Sequence, residues 1–79
     1  MQVEVRVFAT LRRYLPELAI GEAKLVQIEP GITLGQIMSD LGLPEKEVKV
    51  IMRNNLQADH NDLARDGDRV TYIPAVAGG

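Results

Sequence analysis

His60 is the one histidine of this chain and there is no cysteine, so most catalytic constellations built on an imidazole or a thiol are dismissed by counting. A Ser-His-Asp arrangement would require Ser39, which the periodicity puts inside a helix, to meet His60 from a turn-rich segment. The run Asp59-His60-Asn61-Asp62 has metal-ligating residue types, but its spacing fits neither a calcium loop nor a zinc-binding helix, and it reads as a solvated loop. Gly31-Ile32-Thr33-Leu34-Gly35 opens a helix where an anion could sit, yet it lacks the phosphate-loop lysine and the dinucleotide glycine spacing. A turn followed by a helix cap accounts for it. The chain also closes on Ile73-Pro74-Ala75-Val76-Ala77-Gly78-Gly79, small residues directly after an expected strand that read equally as a threading arm or as an ordinary terminus. As an arm, two residues without side chains would let a narrow channel close around the backbone.

The elements that would position such a tail are legible in outline. Val3, Val5 and Val7 alternate with Glu4 and Arg6, the period of a strand with one buried face, over Gln2 to Phe8. Leu11, Tyr14, Leu15 and Leu18 then recur at helical intervals until Pro16 interferes, which gives a short helix from Ala9. Ala23 to Ile28 reads as a second strand paired with the first. Thr33 stands three residues before Gln36, the spacing of a capping box, with Ile32 and Ile37 as its staple. Leu34, Ile37, Met38 and Leu41 share one face of the main helix, and Gly42 is placed to end it. Val48, Val50 and Met52 alternate with Lys49 and Arg53 as a third strand, Asn54-Asn55 is its turn, and a short strand follows around Leu56. Ala58 to Arg65 is polar and aperiodic, and Asp66-Gly67-Asp68 turns the chain into a last strand, Arg69 to Ile73.

Pro74 cannot donate to a sheet ladder, so the expected division is a globular domain over 1–73 and a projecting tail over 74–79. Six extended residues reach about 20 Å, enough to thread a terminal carboxylate into another protein's active site. If Val3, Val5 and Val7 face the helix, Phe8 lies on the opposite side of the sheet. Ile51 and Ile73 fall there on the same reasoning, giving an expected apolar docking patch of Phe8, Ile51 and Ile73.

Composition sets the bounds. The chain has 79 residues, 46% hydrophobic and 25% charged, which fits one small globular domain that folds by itself, and the order of its periodic segments makes that domain α+β. Nine basic and eleven acidic side chains are scattered, so no basic field for nucleic acid is visible. No stretch is apolar enough for a membrane span and the start lacks a signal-peptide pattern, so a cytoplasmic location is expected. Without a thiol, any sulfur the protein handles must ride on something other than a cysteine.

Asp66-Gly67-Asp68-Arg69-Val70 followed by Ile73-Pro74-Ala75-Val76-Ala77-Gly78-Gly79 resembles the end of the MoaD/ThiS sulfur-carrier family, and Val5 to Arg12, with Phe8-Ala9-Thr10-Leu11-Arg12, resembles the start of its molybdopterin synthase small subunits. The resemblance implies a β-grasp, ubiquitin-like roll: a mixed sheet of four to five strands packed on one main helix. It also implies that an E1-like enzyme uses ATP to adenylate Gly79, and that a sulfur donor converts it to a thiocarboxylate. Val76, Ala77, Gly78 and Pro74 would thread the tail into the partner. On this view the protein is a carried reagent, not an enzyme; it holds no cofactor or metal, and its partners are the adenylating enzyme and a sulfur acceptor. The chain's start favours the molybdopterin synthase large subunit as acceptor. The Pro-Ala-Val-Ala-Gly-Gly ending is also similar to the carrier for cysteine biosynthesis, and thiamin is a third pathway. Transfer of activated Gly79 to lysines, as in a ubiquitin-like modifier, is the alternative of a different class, and an interaction module with an idle tail is the plainest one.

Overall fold

The computed structural model describes residues 1–75. Its five strands are β1 (Gln2–Val7), β2 (Lys24–Gln27), β3 (Val48–Arg53), β4 (Leu56–Ala58) and β5 (Arg69–Pro74), joined in one sheet of order β2-β1-β5-β3-β4. A 3-10 helix, Ala9–Tyr14, follows β1, the main helix α1 spans Leu34–Asp40, and a 3-10 turn, Glu45–Glu47, leads into β3. β1 and β5, the first and last strands, lie side by side and parallel, while every other pairing is antiparallel. The fold is the β-grasp roll, with one main helix laid over a mixed sheet.

Alternation in β1 and β5 sends Val3, Val5, Val7, Val70 and Tyr72 to the inner face, where they meet Leu34, Ile37 and Met38 of α1 in a single core. Leu11 and Leu15 close one side of that core, with Tyr14 and Leu18 packed against it. All four residues reach the core, but only Leu11 and Tyr14 do so from a helix, a 3-10 one that ends at Tyr14; Leu15 is its non-helical C-cap and Leu18 lies in the turn beyond Pro16. The Tyr72 hydroxyl donates to the Leu34 carbonyl at 2.7 Å, tying the central strand to the first turn of α1.

Both ends of α1 follow the expected signals. Thr33 is the N-cap, and its Oγ1 accepts from the Gln36 N–H at 3.1 Å. Among the described residues no bond runs back from the Gln36 side chain, so one half of the capping box is made. At the other end Gly42, at φ +78°, donates to the Ser39 carbonyl and Leu43 donates to that of Met38, the paired bonds of a Schellman ending. Asn54 and Asn55 have φ of 51° and 70°, the left-handed pair that a two-residue hairpin needs between β3 and β4.

β3 departs from the expected pattern. Its register against β5 slips between Val48 and Val50, a bulge that takes Lys49 out of the ladder. The slip exchanges the faces of everything after it. Ile51 pairs with Tyr72 and is buried at 2% exposure, so it belongs to the core and not to an outer docking patch. Val50 and Met52, half-buried, take the outer positions instead, opposite Ile73 and Thr71. The boundary at Pro74 shifts as well: Pro74 pairs with Val48 and is buried, closing the domain instead of opening the tail. A proline lacks only the N–H, so it can serve as the last residue of a strand.

The bulge separates two neighbouring apolar residues by role. Ile51→Ala should cost about 2–5 kcal/mol in urea unfolding, and Val50→Ala less than half as much.

Candidate functional site

The parallel pairing of β1 with β5 decides where the C-terminal segment starts. Val7 lies opposite Tyr72, and the Phe8 N–H donates to the Tyr72 carbonyl at 3.3 Å, so Phe8 comes next to Ile73 as the two strands end together. On the other flank Ile73 is opposite Val50. Phe8, Ile73 and Val50 thus form a row across the outer face, one residue short of Pro74, with Met52 one step behind. Phe8 is 47% exposed and Ile73 half-buried. Ala9, at φ +49°, turns the chain sharply after Phe8, and the side chain of Phe8 borders a shallow apolar depression with Val7, Ala9, Arg12, Ile20 and Gly21. Of the expected patch residues, the fold brings Phe8 and Ile73 together and removes Ile51. Val50 was missed because Val50-Ile51-Met52 is an unbroken apolar run whose parity a single bulged lysine reverses.

The register of β1 on β5 is secured from the far end. The Asp66 carboxylate accepts from the Gln2 N–H at 2.8 Å, the Gly67 N–H donates to the Gln2 carbonyl at 2.7 Å, and the Glu4 N–H donates to the Asp68 carbonyl at 2.9 Å. Asp68 itself is buried, and its carboxylate accepts from Asn54 Nδ2 at 3.0 Å and from the Arg65 N–H at 2.8 Å. Asn54 Oδ1 in turn accepts from the Arg69 N–H. The Asp66-Gly67-Asp68 turn is therefore the pin that sets β5 against β1, and with it the level at which Ile73 meets Phe8.

The other residues with chemical promise are separated or occupied. Ser39 is near the end of α1, whereas the His60 carbonyl accepts from the Gly35 N–H in its first turn, so the fold does not bring Ser39 to His60. The Leu34 N–H donates to the Asp62 carbonyl, and Thr33 caps Gln36, so the helix start that might have bound an anion is already filled by its own chain. Asp62 accepts from the Asp59 N–H through its side chain, folding the polar loop on itself. The imidazole Nε2 of His60 is buried without a hydrogen-bond partner. Among the described residues no group of three or more His, Cys, Asp or Glu side chains is placed to hold a metal ion, and no helix is long and apolar enough to cross a membrane. Val76, Ala77, Gly78 and Gly79, the expected threading and reacting residues, lie outside the described residues.

A family model described as Mut7-C ubiquitin matches residues 1–78. The chain belongs to this family. Members of the Mut7-C ubiquitin family are thus to be compared with other small ubiquitin-like proteins, and the solved structures similar to this member are of that kind. SAMP1 from Haloferax volcanii aligns over 100% of both chains at 20% identity, with a TM-score of 0.72, a likeness of fold. The HVO 2177 protein of Haloferax volcanii aligns over 100% of this chain and 87% of its own at 27% identity and a TM-score of 0.74. A chain from the complex of subunits 1 and 2 of molybdopterin-converting factor from Helicobacter pylori aligns over 100% of both at 28% identity and a TM-score of 0.62. The resemblance to MoaD/ThiS carriers read from the chain's two ends agrees with these neighbours. No curated protein matches the sequence.

Surface and core aromatics of the site should respond differently to truncation. Phe8→Ala should change thermal stability by less than about 1 kcal/mol, as for other exposed positions. Tyr72→Phe, which removes the buried bond to the Leu34 carbonyl, should lose about 0.5–1.5 kcal/mol by the same measurement.

Proposed function

We propose that this Mut7-C ubiquitin protein is a sulfur carrier that works in the cytoplasm and whose reacting group is the carboxylate of Gly79 as the last residue of the mature chain. The observation that carries this reading is the full-length likeness to a chain of the two-subunit molybdopterin-converting factor, taken with the apolar row Phe8-Ile73-Val50 at the root of a Gly-Gly ending. An E1-like enzyme joins the carboxylate to the α-phosphate of ATP and releases pyrophosphate. The acyl adenylate is an electrophile that the free carboxylate is not, so a sulfur nucleophile attacks its carbonyl carbon and AMP departs. With hydrosulfide as nucleophile the product is the thiocarboxylate directly. The protein contributes no acid, base or oxyanion hole to these steps. Its contribution is delivery, with an apolar surface to dock and a small-residue segment, Val76-Ala77-Gly78-Gly79, to enter the partner's active site.

The acceptor in this reading is the large subunit of a molybdopterin synthase, which would meet the same Phe8-Ile73-Val50 surface. Exposed Phe8 with half-buried Ile73 and Val50 in the same row suits an interface in which a few anchors hold the partner.

Incubation with ATP, the adenylating enzyme and sodium sulfide should raise the intact mass by the difference between sulfur and oxygen, and a Gly79 deletion should show no gain. A wild-type chain whose mass stays unchanged with an enzyme active on another carrier would sink the carrier reading. Attachment of the chain to lysine amines in the same mixture without sulfide would replace it with the modifier reading.

A further inference from the structure

Two segments flank the place where β5 ends, and one cluster of side chains ties them together. The Ala9–Tyr14 helix packs against β5 on the β1 side, and the Glu45–Glu47 turn runs directly into Val48, the partner of Pro74. Between them Glu47 is a hub. Its Oε1 accepts from Arg13 Nη2 at 2.6 Å, its Oε2 accepts from the Tyr14 hydroxyl, and Arg13 Nη2 also donates to that hydroxyl at 3.0 Å. The Arg13 guanidinium lies 5.0 Å from the centre of the Tyr14 ring. Arg13 is 62% exposed, but the Glu47 side chain is only 27% exposed and Tyr14 packs on the core, so the Tyr14–Glu47 bond is the sheltered part of the cluster.

The strand end that this cluster spans is the weakest part of the β3–β5 ladder. Pro74 has no N–H to give, and the Val48–Pro74 pair is cut off from the next by the bulge at Lys49. Backbone pairing alone therefore holds the last residue of β5 poorly. We propose that Arg13, Tyr14 and Glu47 form a clamp that compensates for this, fixing the Glu45–Glu47 turn against the Ala9–Tyr14 helix and so setting the position from which Ala75 and the reacting segment start. They are positioning residues, and the inference rests on the carrier reading above. A root already fixed in the free protein leaves less to be ordered when a partner takes the segment.

The test compares Glu47→Gln, Tyr14→Phe and the exchanged pair Arg13→Glu with Glu47→Arg, each in the full chain and at a temperature where circular dichroism finds all of them folded. ATP–pyrophosphate exchange with the adenylating enzyme gives kcat and the KM for the carrier separately. Both single variants should raise KM, Glu47→Gln by about fivefold, with kcat unchanged, because binding must now order the root while the bound geometry is the same. The exchanged pair should return KM toward wild type. In the free protein, hydrogen exchange of the Val48 N–H, which donates to the Glu45 carbonyl, should quicken in the single variants and slow again in the exchanged pair. Unchanged Val48 exchange overturns the clamp, and so does quicker exchange with an unaltered KM, which would make the cluster merely structural. Failure of the wild-type chain to be adenylated at all overturns the carrier reading instead, and Val48 exchange still decides whether the clamp exists.

Discussion

Everything distinctive about this molecule depends on the parallel ladder between β1 and β5. Parallel neighbours that are also the first and last strands cannot be joined by a hairpin, so the whole intervening chain must act as the crossover, and α1 is the part of it that covers the sheet. Because the two strands run the same way, they end at the same edge. That places the turn after Phe8 beside the end of β5, and an apolar side chain from near one end of the sequence becomes the neighbour of a segment from the other. The Asp66-Gly67-Asp68 pin at the opposite end then acts at a distance: by holding Gln2 and Glu4 against the start of β5, it fixes which residues meet where the two strands finish.

The sheet's two faces divide the labour. The inner face spends its residues on stability, with valines, Tyr72 and Ile51 sealed under α1. The outer face is left mostly polar, so its few apolar side chains stand out where Phe8, Ile73 and Val50 line up. The two tasks share Tyr72, whose ring fills the core, whose hydroxyl holds α1, and whose carbonyl receives the Phe8 N–H. Burial pushes the pKa of that hydroxyl well up, so it keeps its proton and its bond to Leu34 across ordinary pH.

Local signals made much of this legible from sequence. The alternation of Val3, Val5 and Val7, the Thr33 cap, the Gly42 ending and the Asn54-Asn55 turn each rest on neighbours within a few residues, and each appears as expected. The faces of β3 did not follow, because parity in Val50-Ile51-Met52 is set by a bulge and the sequence around it has no mark of one. Pro74 was misplaced for a related reason: the rule against proline in a ladder concerns the missing N–H, and a strand's final residue can do without it. The cluster of Arg13, Tyr14 and Glu47 joins residues far apart in the chain, and no spacing rule reaches that far. Of the three residues expected on the outer face, Phe8 and Ile73 lie there and Ile51 is in the core, while Val76 to Gly79 stand beyond the described residues.

The loop of residues 59–62 grips the start of α1 through carbonyl oxygens, His60 to Gly35 and Asp62 to Leu34. The contact itself needs only backbone oxygens, although the Asp62 side chain, bonded to the Asp59 N–H, holds the loop in the shape that presents them. The receiving side is fussy too, since a Cβ on Gly35 would come within 3.1 Å of the His60 carbonyl oxygen and 3.2 Å of its Cβ. At Asn61, whose own groups take no part in the contact, a new side chain leaves the contact's donors and acceptors in place, whereas any side chain on Gly35 must push the loop away from the helix.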